Sequence, residues 1–243
     1  MRAHLSSTGA WSFRPIGKAI AKGSVFLALA ALALLLGTPT VTEAFVVTNL
    51  TGGAYVPLDF LVAGNQAQVG DKLFKDFTFI KSGDFPAGFG ADDINVIGIQ
   101  DFYGNFGIRY QGGISPNLGG TGDIFLTYTV QVLSQGLLIS DLHLAYNGGQ
   151  ISGVTEQALY QGQVVGQIEV HNPPPVFQAY TDIIPPRPEL QVQKDIFVRS
   201  LAGGVIFISN IDQTFSQVPE PTTVVLVCTG LLGLLALARR RNG

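Results

Sequence analysis

With a single cysteine in 243 residues, Cys228, the chain cannot close a disulfide within itself. Whatever folds here holds together without that staple. Histidine is almost as scarce. Only His143 and His171 lie in the middle of the chain, too few to build a His-rich metal site. Charge is thin as well, at 13% of residues, about half the share usual in a soluble domain. Positive charge is the scarcer sign between Phe45 and Gln217, where Lys72, Lys75, Lys81, Arg109, Arg187, Lys194 and Arg199 face fifteen acidic residues. With no cluster of Lys and Arg there is no surface for phosphate backbones, so nucleic acid is excluded as a partner. There is no Gly-x-Ser-x-Gly, no His-Glu-x-x-His, no phosphate-binding Gly-rich loop and no EF-hand loop, which removes the common hydrolytic, nucleotide and calcium motifs. The middle also lacks any stretch of helical periodicity lasting three turns.

Two apolar runs sit near the ends. The first, Val25 to Leu36, follows Arg2, Arg14, Lys18 and Lys22 and is followed by Gly37, Thr38 and Pro39. Its twelve residues rise only about 18 Å as a helix, short of a bilayer core of roughly 30 Å. A basic segment, a short apolar helix and small residues at Thr42 and Ala44 make a secretory signal peptide over residues 1–44, with cleavage expected after Ala44. The second run, 222–238, is about 25 Å long as a helix and spans a bilayer marginally, as a temporary anchor would. Cys228 lies inside it; a lipidation or redox site is one reading and an apolar residue of a membrane segment the other. Arg239, Arg240 and Arg241 belong on the cytoplasmic side, so Pro219, Glu220 and Pro221 fall at the outer face. Each proline pushes the residue before it toward extended geometry, giving a backbone that a peptidase can grip.

Pro219-Glu220-Pro221, one apolar helix and a terminal arginine cluster, in that order, resemble the PEP-CTERM sorting signal of Gram-negative bacteria. The resemblance covers residues 218–243 and implies recognition of Pro219, Glu220 and Pro221 by an exosortase, a membrane enzyme that cleaves near the motif and transfers the ectodomain to another carrier. It implies an exported protein, held briefly in the inner membrane and then released to the cell surface or extracellular matrix. Segments such as Gly70 to Phe77, Gly107 to Gly112 and Leu138 to Asp141 are loosely similar to ectodomains of the same kind, which bring no activity with them.

The middle, residues 45–217, alternates. In Ile124 to Val132, the positions Ile124, Leu126, Tyr128, Val130 and Val132 share one face while Thr127, Thr129 and Gln131 share the other, the pattern of a half-buried strand. Similar runs occur at Phe45 to Leu50, Tyr55 to Val62, Leu73 to Ile80, Ile94 to Gln100, Leu138 to Tyr146, Val164 to Val170, Glu189 to Arg199 and Val205 to Ile211, separated by turn residues. The expected fold is therefore all-β: an antiparallel β-sandwich, jelly-roll-like, between an N-terminal signal helix and a C-terminal transmembrane helix. Pro173 to Pro175 and Pro185 to Pro188 bracket a segment that cannot be a central strand and suits a crossover between sheets.

Several groups invite a chemical reading. Asp84, Asp92 and Asp93, with the backbone of Gly83 to Gly90, offer oxygen ligands to Ca²⁺, or else form a solvated turn. Ser140, Asp141 and His143 can be written as a catalytic set, although side chains along one strand are expected to diverge. Phe85, Phe89, Phe102, Tyr103 and Phe106 fall in a Gly-rich stretch and form either a sugar-stacking platform or part of the core. The leading reading is a non-catalytic surface or matrix protein, sorted by an exosortase and associated with exopolysaccharide in a biofilm. A carbohydrate-binding module acting on exopolysaccharide is the first alternative and a glycoside hydrolase the second. No cofactor is expected.

Overall fold

The computed structural model describes residues 45–201, 203, 204, 206–220, 226 and 229. Ala44 and everything before it, Pro221, Arg239, Arg240, Arg241 and nearly all of the run 222–238 lie outside the described residues, and with them the expected signal and transmembrane helices. Among the described residues no helix is long and apolar enough to cross a membrane.

Two sheets make up the fold. The first holds, side by side, β1 (Val47–Asn49), β3 (Gln66–Val69), β4 (Lys72–Gly83), β7 (Thr121–Val132), β12 (Glu189–Arg199), β9 (Ser152–Tyr160) and β10 (Gln163–Asn172). The second holds β11 (Gln178–Arg187), β8 (Leu137–Gly148), β13 (Ile208–Pro219), β6 (Phe106–Ile114), β5 (Asn95–Gln100) and β2 (Tyr55–Pro57). All pairings are antiparallel except β1 with β3. The inner faces meet through aromatic rings: Phe74 lies 6.1 Å from Phe215, and Tyr128 lies 6.2 Å from Tyr110, each pair joining one sheet to the other. The alternation read in β7 and β12 puts Ile124, Leu126, Tyr128 and Val130, and Leu190, Val192, Ile196 and Val198, into this core.

Departures from the expected strands have local causes. Tyr55 to Val62 is a strand only to Pro57; there the chain turns into helix α1 (Leu58–Val62), which buries Leu58 and Leu61 on one face. Pro57 suits the start of that helix because its fixed φ suits the turn and its missing N–H leaves nothing to satisfy. In β4 the alternation slips. Asp76 adopts φ 58°, the pairing with β7 shifts between Lys75 and Thr78, and Phe77 joins Phe74 in the core. Asp tolerates the left-handed region through its short polar side chain, so this bulge is cheap there. Pro173 to Pro175 carry the chain from β10 in one sheet to β11 in the other, and Pro188 begins the return to β12. Pro185 and Pro186 lie in β11, at the sheet edge, where its pairing with β8 is interrupted between Asp182 and Arg187.

Candidate functional site

Strand β13 leads the chain into its terminal segment. It lies between β6 and β8, but β6 pairs it only from Ile208 to Thr214. Beyond that point β8 alone holds it, with Val218 opposite Leu138 and Pro219 opposite Leu137. The Glu220 N–H then donates to the Gly136 carbonyl at 2.8 Å. Pro219 thus ends β13 in extended backbone and is exposed, and Glu220 stays tied to the sandwich by that bond.

On the outer face of the same sheet lies a groove of about 410 Å³. Its floor comes from residues that alternate outward: Ile99, Arg109, Asp212, Thr214, His143 and Ala145. Arg109 and Asp212 are direct cross-strand partners, and the guanidinium grips the carboxylate with two hydrogen bonds of 2.6 and 2.7 Å. Gly107 lets β6 and β13 approach: a Cβ there would lie 1.8 Å from the Gln213 carbonyl oxygen.

A short loop, 101–105, forms one wall. The Asp101 carboxylate accepts from the backbone N–H of Tyr103 and of Asn105, both at 2.9 Å, from the Asn105 side-chain amide at 2.8 Å and from the Thr214 hydroxyl at 3.2 Å. Burial alone would raise this carboxyl; the bonds from Asn105, Tyr103 and Thr214 outweigh it and hold Asp101 below its ordinary value. Gly104 closes the turn at φ 90°. Pinned in this way, the loop displays Phe102 and Tyr103 edge to face, centroids 5.6 Å apart, with 96% and 82% of their surfaces exposed. On β11, Tyr180, 72% exposed, stacks on His143 of the groove floor at 6.0 Å.

The five aromatics named from the sequence therefore divide. Phe85 packs against Phe89 at 4.7 Å in the core margin, and Phe106 lies under the buried Lys72 amine, while Phe102 and Tyr103 face solvent. Asp84, Asp92 and Asp93 are not gathered. Asp84 accepts from the Thr121 N–H at 3.1 Å, tying the end of β4 to the start of β7, and Asp93 accepts from the Gly90 N–H at 2.8 Å within its own turn. Among the described residues no three His, Cys, Asp or Glu side chains converge as metal ligands.

Asp141 and His143 do meet, contrary to the expected divergence, because both side chains lean along the same outer face: Asp141 Oδ1 is 3.0 Å from His143 Nε2. The hydroxyl that approaches this ring is that of Ser216 on β13, at 3.4 Å, not Ser140. Both neighbours address Nε2. A relay needs the carboxylate on one ring nitrogen and the hydroxyl on the other, so this set does not have the geometry for nucleophilic catalysis. The Arg109–Asp212 clamp, Gln178 and Tyr180 were not singled out in the sequence; each is an outward position whose neighbours lie on distant strands.

Residues 217–241 match the family model described as PEP-CTERM protein-sorting motif. No curated protein matches the chain by sequence. Among solved structures, the carbohydrate-binding module TmCBM61 in complex with β-1,4-galactotriose is similar over 58% of this chain and 88% of its own, at 12% identity and a TM-score of 0.34. A family two carbohydrate esterase from Cellvibrio japonicus is similar over 60% of this chain and 36% of its own, at 11% identity and a TM-score of 0.25. An arabinoxylan arabinofuranohydrolase of glycoside hydrolase family 43 from Bacillus subtilis, in complex with cellotetraose, is similar over 75% of this chain and 30% of its own, at 11% identity and a TM-score of 0.25.

Proposed function

We propose that this protein, exported and sorted to the cell surface through its PEP-CTERM motif, is a non-catalytic surface component that holds exopolysaccharide in the groove of its second sheet. The observation that carries the reading is the pair Phe102 and Tyr103, held almost fully exposed by a loop that the Asp101 carboxylate ties down through Tyr103 and Asn105. Exposing two adjacent rings is unfavourable unless something covers them, and a sugar ring offers C–H faces to an aromatic plane while its hydroxyls turn to polar neighbours. Gln100, Arg109, Gln178 and Asp212 supply such neighbours.

The carboxylates in the groove support a reading of binding without hydrolysis. A glycosidase needs one carboxyl kept protonated as general acid. Asp101 is held on the ionised side and its oxygens are already engaged; Asp212 is clamped by Arg109. In the same reading a signal peptide is removed after Ala44, the helix over 222–238 anchors the chain in the inner membrane, and Arg239 to Arg241 stop it at the cytoplasmic side. An exosortase then recognises Pro219, Glu220 and Pro221 and releases the sandwich. The strand order, with the chain passing between sheets from β6 to β9 and from β10 to β13, suits a jelly-roll-like wrapping of this ectodomain. A glycan array tests the binding claim: the exported protein is expected to retain acidic or neutral polysaccharides, and Phe102→Ala with Tyr103→Ala to retain them markedly less. Equal retention by the variant contradicts it.

A further inference from the structure

The centre of the sandwich is not wholly apolar. Lys194 of β12, Glu156 of β9 and Gln213 of β13 are all fully buried. Lys194 and Glu156 are cross-strand partners in one sheet, and Gln213 reaches them from the other. The Lys194 amine donates to Glu156 Oε2 and, at 2.6 Å, to Gln213 Oε1. Glu156 Oε1 and Gln213 Nε2 are buried without a hydrogen-bond partner. An ion pair sealed in a core is costly, and leaving one amide nitrogen and one carboxylate oxygen unpaired adds to the cost.

We propose that these three side chains form an intramolecular isopeptide bond, with Lys194 Nζ joined to Gln213 Cδ, Glu156 as the proton carrier and ammonia as the product. Lys194 first passes a proton to Glu156, leaving a neutral amine and a carboxylic acid. Rotation about the last side-chain torsion of Gln213, which is broad and soft, turns Oε1 aside and offers Cδ to the amine. The nitrogen attacks Cδ and a C–N bond forms. Glu156 gives its proton to Nε2 and takes one from the attacking nitrogen. The Cδ–Nε2 bond breaks with its electron pair on nitrogen, ammonia leaves, and a secondary amide and a protonated Glu156 remain. No oxidant or reductant is needed.

The surroundings favour this course. Burial lowers the affinity of the Lys194 amine for its proton and raises that of the Glu156 carboxyl, in each case against their mutual attraction. A neutral amine is the nucleophile that acyl transfer requires. The product removes the buried cation and the orphaned Gln213 nitrogen together. It also places a covalent tie between the two sheets of a chain whose single cysteine allows no disulfide within it. Because β13 runs on into the sorting motif, tension applied through that end would load β13 first, and the bond would pass it to β12. The chemistry itself does not depend on how the protein is sorted or what it binds.

Arg199 lies between the two residues, so trypsin separates Lys194 from Gln213 in a linear chain. The full-length protein is denatured, digested and read by mass spectrometry. The expected result is a branched peptide joining the two segments, lighter than its parts by one ammonia, present in the natural protein and lost in Glu156→Gln, which keeps both ends of the bond but not the proton carrier. Two unjoined peptides from the natural protein, with the Lys194 amine free to acylating reagent after denaturation, overturn the proposal. So does a single peptide spanning 110–199, lighter by one water, in which Lys194 is joined to Glu156, or a branched peptide that persists in Glu156→Gln.

Discussion

Replacing Glu156 by leucine leaves the Lys194 amine in the core with a single neutral acceptor, Gln213 Oε1. Breaking a buried ion pair from one side costs about 3–5 kcal/mol, whereas replacing both members with apolar residues of similar size is neutral or stabilising. Glu156→Leu/Lys194→Met should therefore be more stable than Glu156→Leu alone by about 3–5 kcal/mol, on the order of 10 °C in Tm for a domain of this size. Neither variant can form the isopeptide bond, so the difference between them isolates the orphaned charge. It also depends on pH in a known direction. Burial holds the Lys194 amine below its ordinary value, so unfolding takes up a proton, and the single variant gains stability as pH rises toward the ordinary lysine range. Thermal melts of both variants across that range measure the gap. A double variant no more stable than the single one, or a gap indifferent to pH, refutes the reasoning.

Other consequences are sharp enough to measure. The Asp123 carboxyl is raised to about 6 by burial and by Asp195 beside it; a raised carboxyl favours the folded state in acid and loses that contribution as pH climbs through about 6. Asp123→Asn should therefore raise Tm at neutral pH and change it little below about pH 4, and a uniform shift would contradict the pairing. Gly107→Ala forces β6 away from β13, since its Cβ would fall 1.8 Å from the Gln213 carbonyl oxygen; a loss of about 1–3 kcal/mol in urea unfolding is expected, and a neutral result would mean that the two strands separate easily. Changing Pro219, Glu220 and Pro221 to alanine should leave full-length protein in the inner membrane by immunoblot, and undiminished release would contradict the sorting role.

What could be read ahead of the structure depended on how local the signal was. The strict alternation of β7 and β12 is a property of consecutive residues, and it gave both their existence and their inward faces. The same alternation also marks two charged residues as inward: Lys194 stands in step with Leu190, Val192, Ile196 and Val198, and Glu156 in step with Val154 and Ala158, so both point into the core. β3, β6, β9 and β11 escaped because Gly, Gln, Thr and Pro dilute their apolar pattern. The groove was legible only at its rim. Phe102 and Tyr103 stand out as aromatics in a Gly-rich stretch, but the floor beside them joins Arg109 to Asp212, and its His143 pairs with Tyr180 on the next strand; such pairs are fixed by strand register, which no short window of sequence contains.

The most direct test of the glycan-holding groove is calorimetric titration of the exported protein with polysaccharide isolated from the cells that make it. An exposed aromatic contact contributes roughly 0.5–1.5 kcal/mol, so Phe102→Ala/Tyr103→Ala should weaken binding on the order of tenfold or more while leaving Tm unchanged. Saturable binding that is equal in the natural and substituted proteins, or no binding in either, contradicts the account.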